Sequence, residues 1–335
     1  LMGNLVGNAN VKDNQIWVIE SQTQNANTLT KIDLRYVQQL QSINGVEQAF
    51  PVVIGNAEAK FLDGNTAAVQ IIGSDAPDFV IGPNPTRIFQ GNLSDLSLPE
   101  AVSVEFFNAK SWNTDLYLNK QIELNTKSAQ VKLITKNAQA FGGNYVYTNL
   151  FNARFYGNVD PSKVSLIVLN LDKNSNKQNV INLINSQYPN LRAWDTKALQ
   201  NSTVKEILIS SNMGMSFGTL VVFAMISGFF IIGLTLYSSA LDRVKDYGTL
   251  KAIGANKTYV NKLLITQALL YALIGFSIAF LLLIGFSQGV KKSGLEINFS
   301  LGFVSFLLGI TLFISIGGSL FAVRKISKLE PASVF

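Results

Sequence analysis

Histidine and cysteine are both absent from the 335 residues. That removes Ser-His and Cys-His nucleophilic pairs together with the usual nitrogen and sulfur ligands of zinc. The carboxylates show no spacing that singles out a general acid–base pair. The nearest fragment to a phosphate-cradling Gly-x4-Gly-Lys-Ser/Thr loop is Gly254-Ala255-Asn256-Lys257-Thr258, which lacks the second glycine and does not follow a strand. The chain is therefore expected not to be an enzyme, to bind no metal or cofactor, and to be unable to hydrolyse ATP alone.

The most specific stretch is Leu241-Asp242-Arg243-Val244-Lys245-Asp246-Tyr247-Gly248-Thr249-Leu250-Lys251-Ala252-Ile253-Gly254-Ala255. It reads as a short amphipathic helix, with Leu241, Val244, Tyr247, Leu250 and Ile253 as an apolar stripe and Gly254 as terminator. Arg243, Lys245, Asp246 and Lys251 fall largely off that stripe. Such a helix lies along a membrane face, where its basic groups meet anionic lipid headgroups and its exposed side can meet a cytoplasmic partner.

The elements that must position it are three runs free of Asp, Glu, Lys and Arg: Ile207 to Leu241, Leu263 to Val290 and Ile297 to Val323. About 20 helical residues cross a hydrocarbon core of ~30 Å, so each run is a transmembrane helix. Residues 1–206 carry 17 basic and 17 acidic groups, so the net charge of +6 resides wholly in residues 207–335. Nucleic acid is not implied. Arg243, Lys245, Lys251, Lys257 and Lys262 lie between the first two runs, and Arg324, Lys325 and Lys328 follow the third. By the positive-inside rule, 242–262 and the tail 324–335 are cytoplasmic, while the loop 291–296 and the head 1–206 are outside. An exported head needs a preceding helix or a cleaved signal peptide, so a fourth helix ahead of Leu1 is expected, with Leu1 to Ala9 as its exit.

Within the spans, Gly214-x3-Gly218 and Gly285-x3-Gly289 would let helix backbones approach, favouring a dimer or a tight intrachain pair. Gln267, Thr235 and Ser227 read as interhelical hydrogen-bonding groups. No span holds an ionisable carboxylate or amine, so ion-coupled transport is not indicated.

The head reads as α+β. Gln15 to Ile19 is a strand, Leu34, Val37, Leu40 and Ile43 mark a helix face, and Val46 to Ile54 resumes as strand. A second copy follows, with Val164 to Leu169, a helix face at Val180, Leu183 and Ile184, and Leu191 to Trp194. The two copies are expected to pack their helices on one sheet. Between them lies a β-rich insertion, 57–160, opened by a hairpin at Asp63-Gly64-Asn65 and containing strands at 101–104, 121–124 and 130–135. Trp17, Trp112, Trp194, Phe106 and Phe107 could form a ligand cage, but core or seam positions are the expectation for large aromatics.

The residues from 241 onward resemble the FtsX-like, MacB-type family of ABC permeases, whose cytoplasmic loop reads Glu-Arg-x2-Glu-Ile-Gly-x2-Lys-Ala-Ile-Gly-Ala. The chain matches at Arg243, Gly248, Lys251, Ala252, Ile253, Gly254 and Ala255, and carries Asp242, Asp246 and Tyr247 at three other motif positions. The Asp-Tyr-Gly form is similar to the DevC-like branch, and Arg324-Lys325-Ile326 with Glu330-Pro331-Ala332 resembles the family's C-terminus. The resemblance implies a bacterial inner-membrane homodimer with a periplasmic head. It also implies a separate ATPase subunit or a fused ATPase domain, binding ATP and Mg, that docks on Asp242, Arg243, Asp246, Tyr247, Gly248, Lys251, Gly254 and Ala255. A periplasmic adaptor and an outer-membrane channel would complete an export system for lipid or glycolipid, worked by mechanotransmission. A non-transporting scaffold that regulates a cell-wall hydrolase or sensor kinase would use the same parts.

Overall fold

A computed structural model describes residues 14–75, 79–139, 143–210, 212–253, 255–291 and 299–327. Two compact units divide the chain, a head that ends at Ser211 and a helical unit that begins at Asn212.

The head opens with β1 (Gln15–Glu20), β2 (Ile32–Asp33), α1 (Arg35–Gln41) and β3 (Val46–Lys60). The insertion supplies β4 (Thr66–Gly73), β5 (Ile88–Gly91), β6 (Ala101–Glu105), α2 (Asn108–Ser111), β7 (Gln121–Leu124), β8 (Lys127–Thr135), β9 (Tyr145–Thr148) and α3 (Leu150–Gly157). The second copy follows as β10 (Lys163–Val164), β11 (Leu166–Leu171), α4 (Lys177–Gln187) and β12 (Leu191–Asp195), and α5 (Thr196–Ser210) ends the unit.

The two βαβ copies share one sheet by interleaving. Their strands stand in the order β12-β1-β11-β3, every neighbour antiparallel, so each copy's two strands are separated by a strand of the other. This is the split-βαβ arrangement. Period-2 alternation decides the faces: Ile16 and Val18 join one core with Leu40, Val180 and Ile184, while Trp17 and Ile19 join another with Phe50 and Leu199. Helices α1 and α4 thus cover the first face, and α5 brings Leu199 to the second.

Three local details differ from the sequence reading. Val164 pairs with Ile32 in a separate two-stranded ladder, because Ser165 turns its hydroxyl to accept the Ile54 N–H at 2.7 Å and interrupts the strand. On α4 the buried set is Val180, Ile181 and Ile184, and Leu183 faces outward. Ile207–Ser210, counted with the first span above, belong to α5 of the head.

β3 carries the insertion. Its first seven residues pair with β11, and from Val53 onward it pairs with β4 through a hairpin whose turn glycine, Gly64, has φ +84°. Pro51 is tolerated in β3 because the Ser165 N–H to Val52 O bond sets even-numbered residues toward β11; the missing donor points to the opposite edge. The aromatic residues do not assemble into a cage. Trp17 lies opposite Trp194 in register, Trp112 stacks on Phe61 at 5.3 Å, and Phe106 and Phe107 pair with one another at 5.3 Å.

Leu40 and Ile184 are fully buried against the shared sheet. Truncating either to alanine removes apolar contact and leaves a void, so we expect a loss of about 2–5 kcal/mol. All three tryptophans lie in the head, which makes their fluorescence in a urea titration of the full chain a direct check.

The helical unit consists of α6 (Asn212–Asp242), α7 (Val244–Ala252), α8 (Lys257–Lys291) and α9 (Leu301–Ser327). Gly214–Asp242, Asn261–Val290 and Leu301–Leu320 are long and apolar enough to cross a membrane. α9 packs along both α6 and α8. A Cβ at Gly318 would stand 3.1 Å from both Gly233 N and Phe229 O, so the α6 and α9 backbones approach where side chains are missing. Toward α8, the buried Ser315 hydroxyl donates to Ala268 O at 2.8 Å.

Candidate functional site

Asp242 closes α6, Arg243 makes the turn, and α7 begins at the next residue. The Tyr247 N–H donates to Arg243 O at 3.1 Å, so helical hydrogen bonding resumes at once. A helix of nine residues is marginal in water by itself and needs a packed face.

Tyr247 provides that face. It is only 7% exposed and packs with Ala240, Leu264 and Val323, one residue from each of α6, α8 and α9, with Leu250 at the margin of the cluster. The short helix thus shares one buried cluster with a residue of each long helix, and burial of the ring stabilises it by about 1.5–3 kcal/mol. Burial also pushes the Tyr247 phenol above its ordinary pKa, so the ring stays neutral at physiological pH.

The five-residue stripe is only partly realised. Val244 and Leu250 are half-buried beside Tyr247, whereas Leu241 is exposed and Ile253 is 77% exposed. With 3.6 residues per turn, each step of three falls about 60° short of a full turn, so the ends of such a stripe rotate off the face. Leu241 also belongs to α6 rather than α7.

The opposite side carries charge. Asp242, Arg243, Lys245 and Asp246 are exposed, and Gly248 and Lys251 lie within the helix. The Ala255 N–H donates to Leu250 O at 2.9 Å as the chain leaves α7, and Gly254 falls outside the described residues. Lys257 opens α8 shortly after α7 with no strand before it, so the Gly254 to Thr258 fragment has no phosphate-loop context. Exposed opposite charges on a docked helix can recognise a protein surface.

Gly214-x3-Gly218 and Gly285-x3-Gly289 favour a dimer or a tight intrachain pair by their spacing, and within the chain Gly218, Gly285 and Gly289 face open space. A Cβ at Gly218, Gly285 or Gly289 would meet nothing within 4 Å, and the close approach is made instead at Gly317 and Gly318. Gly214 lies on the same helix as Gly218 and has a bonding partner of its own. Thr235 and Ser227 are exposed, and Gln267 bonds Tyr271 on its own helix at 2.9 Å. Ser315 makes the interhelical bond in their place. Small-x3-small spacing widened to serine finds these residues, since Ser315-x3-Ser319 brackets the glycine doublet. No comparable signal in the sequence marks Ala240, Leu264 or Val323.

Residues 218–331 match the FtsX-like permease C-terminal family. No curated protein matches the chain. Among solved structures, the periplasmic region of MacB from Actinobacillus actinomycetemcomitans is similar at TM-score 0.44 and 10% identity, covering 58% of this chain and 94% of that one. The extracellular domain of YknZ, a noncanonic ABC-type transporter from Gram-positive bacteria, is similar at TM-score 0.40 and 11% identity, covering 54% and 100%. Likeness at this level is too low to establish topology, which rests on the strand pairings above.

Proposed function

We propose that α7 is the docking element for a cytoplasmic ATPase partner, in a chain whose residues 218–331 match the FtsX-like permease C-terminal family. The partner binds ATP and Mg, and its closure pushes on α7. The seat of Tyr247 on α6, α8 and α9 carries this reading, because force applied to the exposed charges passes into every long helix at once. The motion then reaches the head on the far side of the inner membrane, where it drives export of an apolar or amphipathic cargo, with lipid or glycolipid the best match. A hydrophilic route through the helices is disfavoured, since their exposed surfaces are dominated by Phe, Leu, Ile and Val. Two copies of the chain, a periplasmic adaptor and an outer-membrane channel complete the assembly.

The absence of cysteine permits a clean test of sidedness. In intact spheroplasts, a membrane-impermeant maleimide is expected to label Leu62→Cys, at the exposed hairpin of the head, and to miss Asp246→Cys until the membrane is opened. Labelling of both from one side would end the proposal.

A further inference from the structure

A cleft of about 600 Å³ opens in the head between the segment Ala26 to Lys31, the middle of β3 and the loop that follows α3. Its size is that of pockets that hold small ligands. No strand pairs β3 on this edge between Val52, opposite Leu166 of β11, and Ala59, opposite Leu124 of β7; Ser165 bonds Ile54 there and Asn125 bonds Asn56 O and Glu58. The wall exists because two glycines meet there. A Cβ at Gly55 would stand 2.8 Å from Gly157 Cα, so only glycine lets the backbones come so close.

Lys31 reaches into the gap. Its ammonium donates to the Ile54 carbonyl and to Ser165 Oγ, the latter at 2.6 Å, while the rest of the side chain stays accessible. An ammonium has three N–H donors, and these contacts use two. Among the described residues no carboxylate lies against it, and burial alone lowers its pKa. The other charged residues of the lining are engaged elsewhere. Asp160 accepts from the Ser162 N–H and Oγ, each at 2.7 Å, and Lys163 lies 4.0 Å from Asp33. Lys31 is exposed along its side chain, and its ammonium keeps one donor for an anion entering from the cleft.

Beside it, Asn56 and Gln70 face one another across β3 and β4, with their side chains on the same face of the sheet. Both line the cleft, and neither side-chain amide bonds another described residue. Each can donate and accept, which matches the pattern of a peptide group.

We propose that this cleft binds a short peptide by its terminal carboxylate, with the Lys31 ammonium pairing the carboxylate and the Asn56 and Gln70 amides bonding the adjoining peptide groups. The site is independent of the coupling at α7. A phosphate dianion fits less well, because the Lys31 ammonium, with two donors already used, offers it a single bond and the Asn56 and Gln70 amides match peptide groups.

Calorimetric titration of the full chain in detergent micelles tests this with N-acetyl-trialanine acid, its C-terminal amide and inorganic phosphate. Saturable binding of the acid is expected, with the amide at least about tenfold weaker and phosphate weaker than the acid. Lys31→Met is expected to erase the difference between acid and amide. Because Lys31 also supports Ile54, a second variant, Gln70→Glu, leaves those bonds intact and sets a carboxylate against the ligand; about tenfold weaker binding of the acid is expected. Equal binding of acid and amide, tighter binding of phosphate, no saturation by the acid up to about 10 mM, or wild-type affinity in a folded Gln70→Glu protein would each overturn the assignment.

Discussion

Tyr247→Ala is expected to reduce stimulation of the partner ATPase by more than about tenfold while the spans and head stay folded. Removing a buried aromatic ring costs about 3–5 kcal/mol, and among the described residues no other buried side chain of α7 joins the cluster. Without the ring, the nine-residue helix keeps few contacts and leaves its seat. A loss of that size exceeds the 1.4 kcal/mol per factor of ten, so the docking equilibrium constant falls by more than about tenfold. Tyr247→Phe is the informative control, because the hydroxyl makes no hydrogen bond among the described residues. It is expected to retain stimulation within about a factor of two. The measurement is ATP turnover by the reconstituted pair, with head fluorescence as the check on folding. Full stimulation by Tyr247→Ala would remove α7 from the coupling path.

Gly318→Leu is expected to break the packing of α9 on α6. The nearest atoms to a new Cβ are backbone, Gly233 N and Phe229 O at 3.1 Å, with Ile232 Cγ2 at 3.2 Å. Backbone cannot swing aside as the end of a side chain can, so the helices must separate along the seam. Overpacking costs about 1–3 kcal/mol at ordinary core sites, and a clash against two backbone atoms belongs at or above the upper end. Separation also strains the seat of Tyr247, since Ala240 and Val323 lie on these same two helices. Gly218→Leu, Gly285→Leu and Gly289→Leu enter open space and are expected to change stability by no more than about 0.5 kcal/mol. Unfolding in a graded mixture of denaturing and mild detergent separates the two groups. A variant of the second group that stays folded but loses self-association marks the face used by a second copy. Equal damage from Gly318→Leu and Gly218→Leu would show that the seam is not closely packed.

Much of the head was legible because its elements are local. The 3.6-residue period around Leu40, the Asp-Gly turn at position 63 and the alternation in β7 each express a requirement within a few residues. Leu183 shows the limit of that logic. It fits a helical face as well as Ile181 does, and only the placement of α4 on the sheet decides which is buried. Interleaving of the two βαβ copies was likewise hidden, since pairing of β1 with β11 joins residues as far apart in sequence as Gln15 and Asn170. Ser165 looked like part of a strand and serves instead to satisfy the edge of β3.

What the sequence determined by itself was the solvent of each part. Three long charge-free runs are apolar enough to leave water for a membrane, and their basic flanks carry the expectation of which ends face the cytoplasm, because the cost of burying charge and apolar exposure is a property of composition. It also determined that Tyr247 lies on a short amphipathic helix. Only the tertiary structure decided which faces meet: that Tyr247 rests on Ala240, Leu264 and Val323, that Gly318 rather than Gly218 takes the close approach, and that Lys31, Asn56 and Gln70 surround one cleft. Packing is chosen by shape among segments distant in the chain, and no local period encodes that choice.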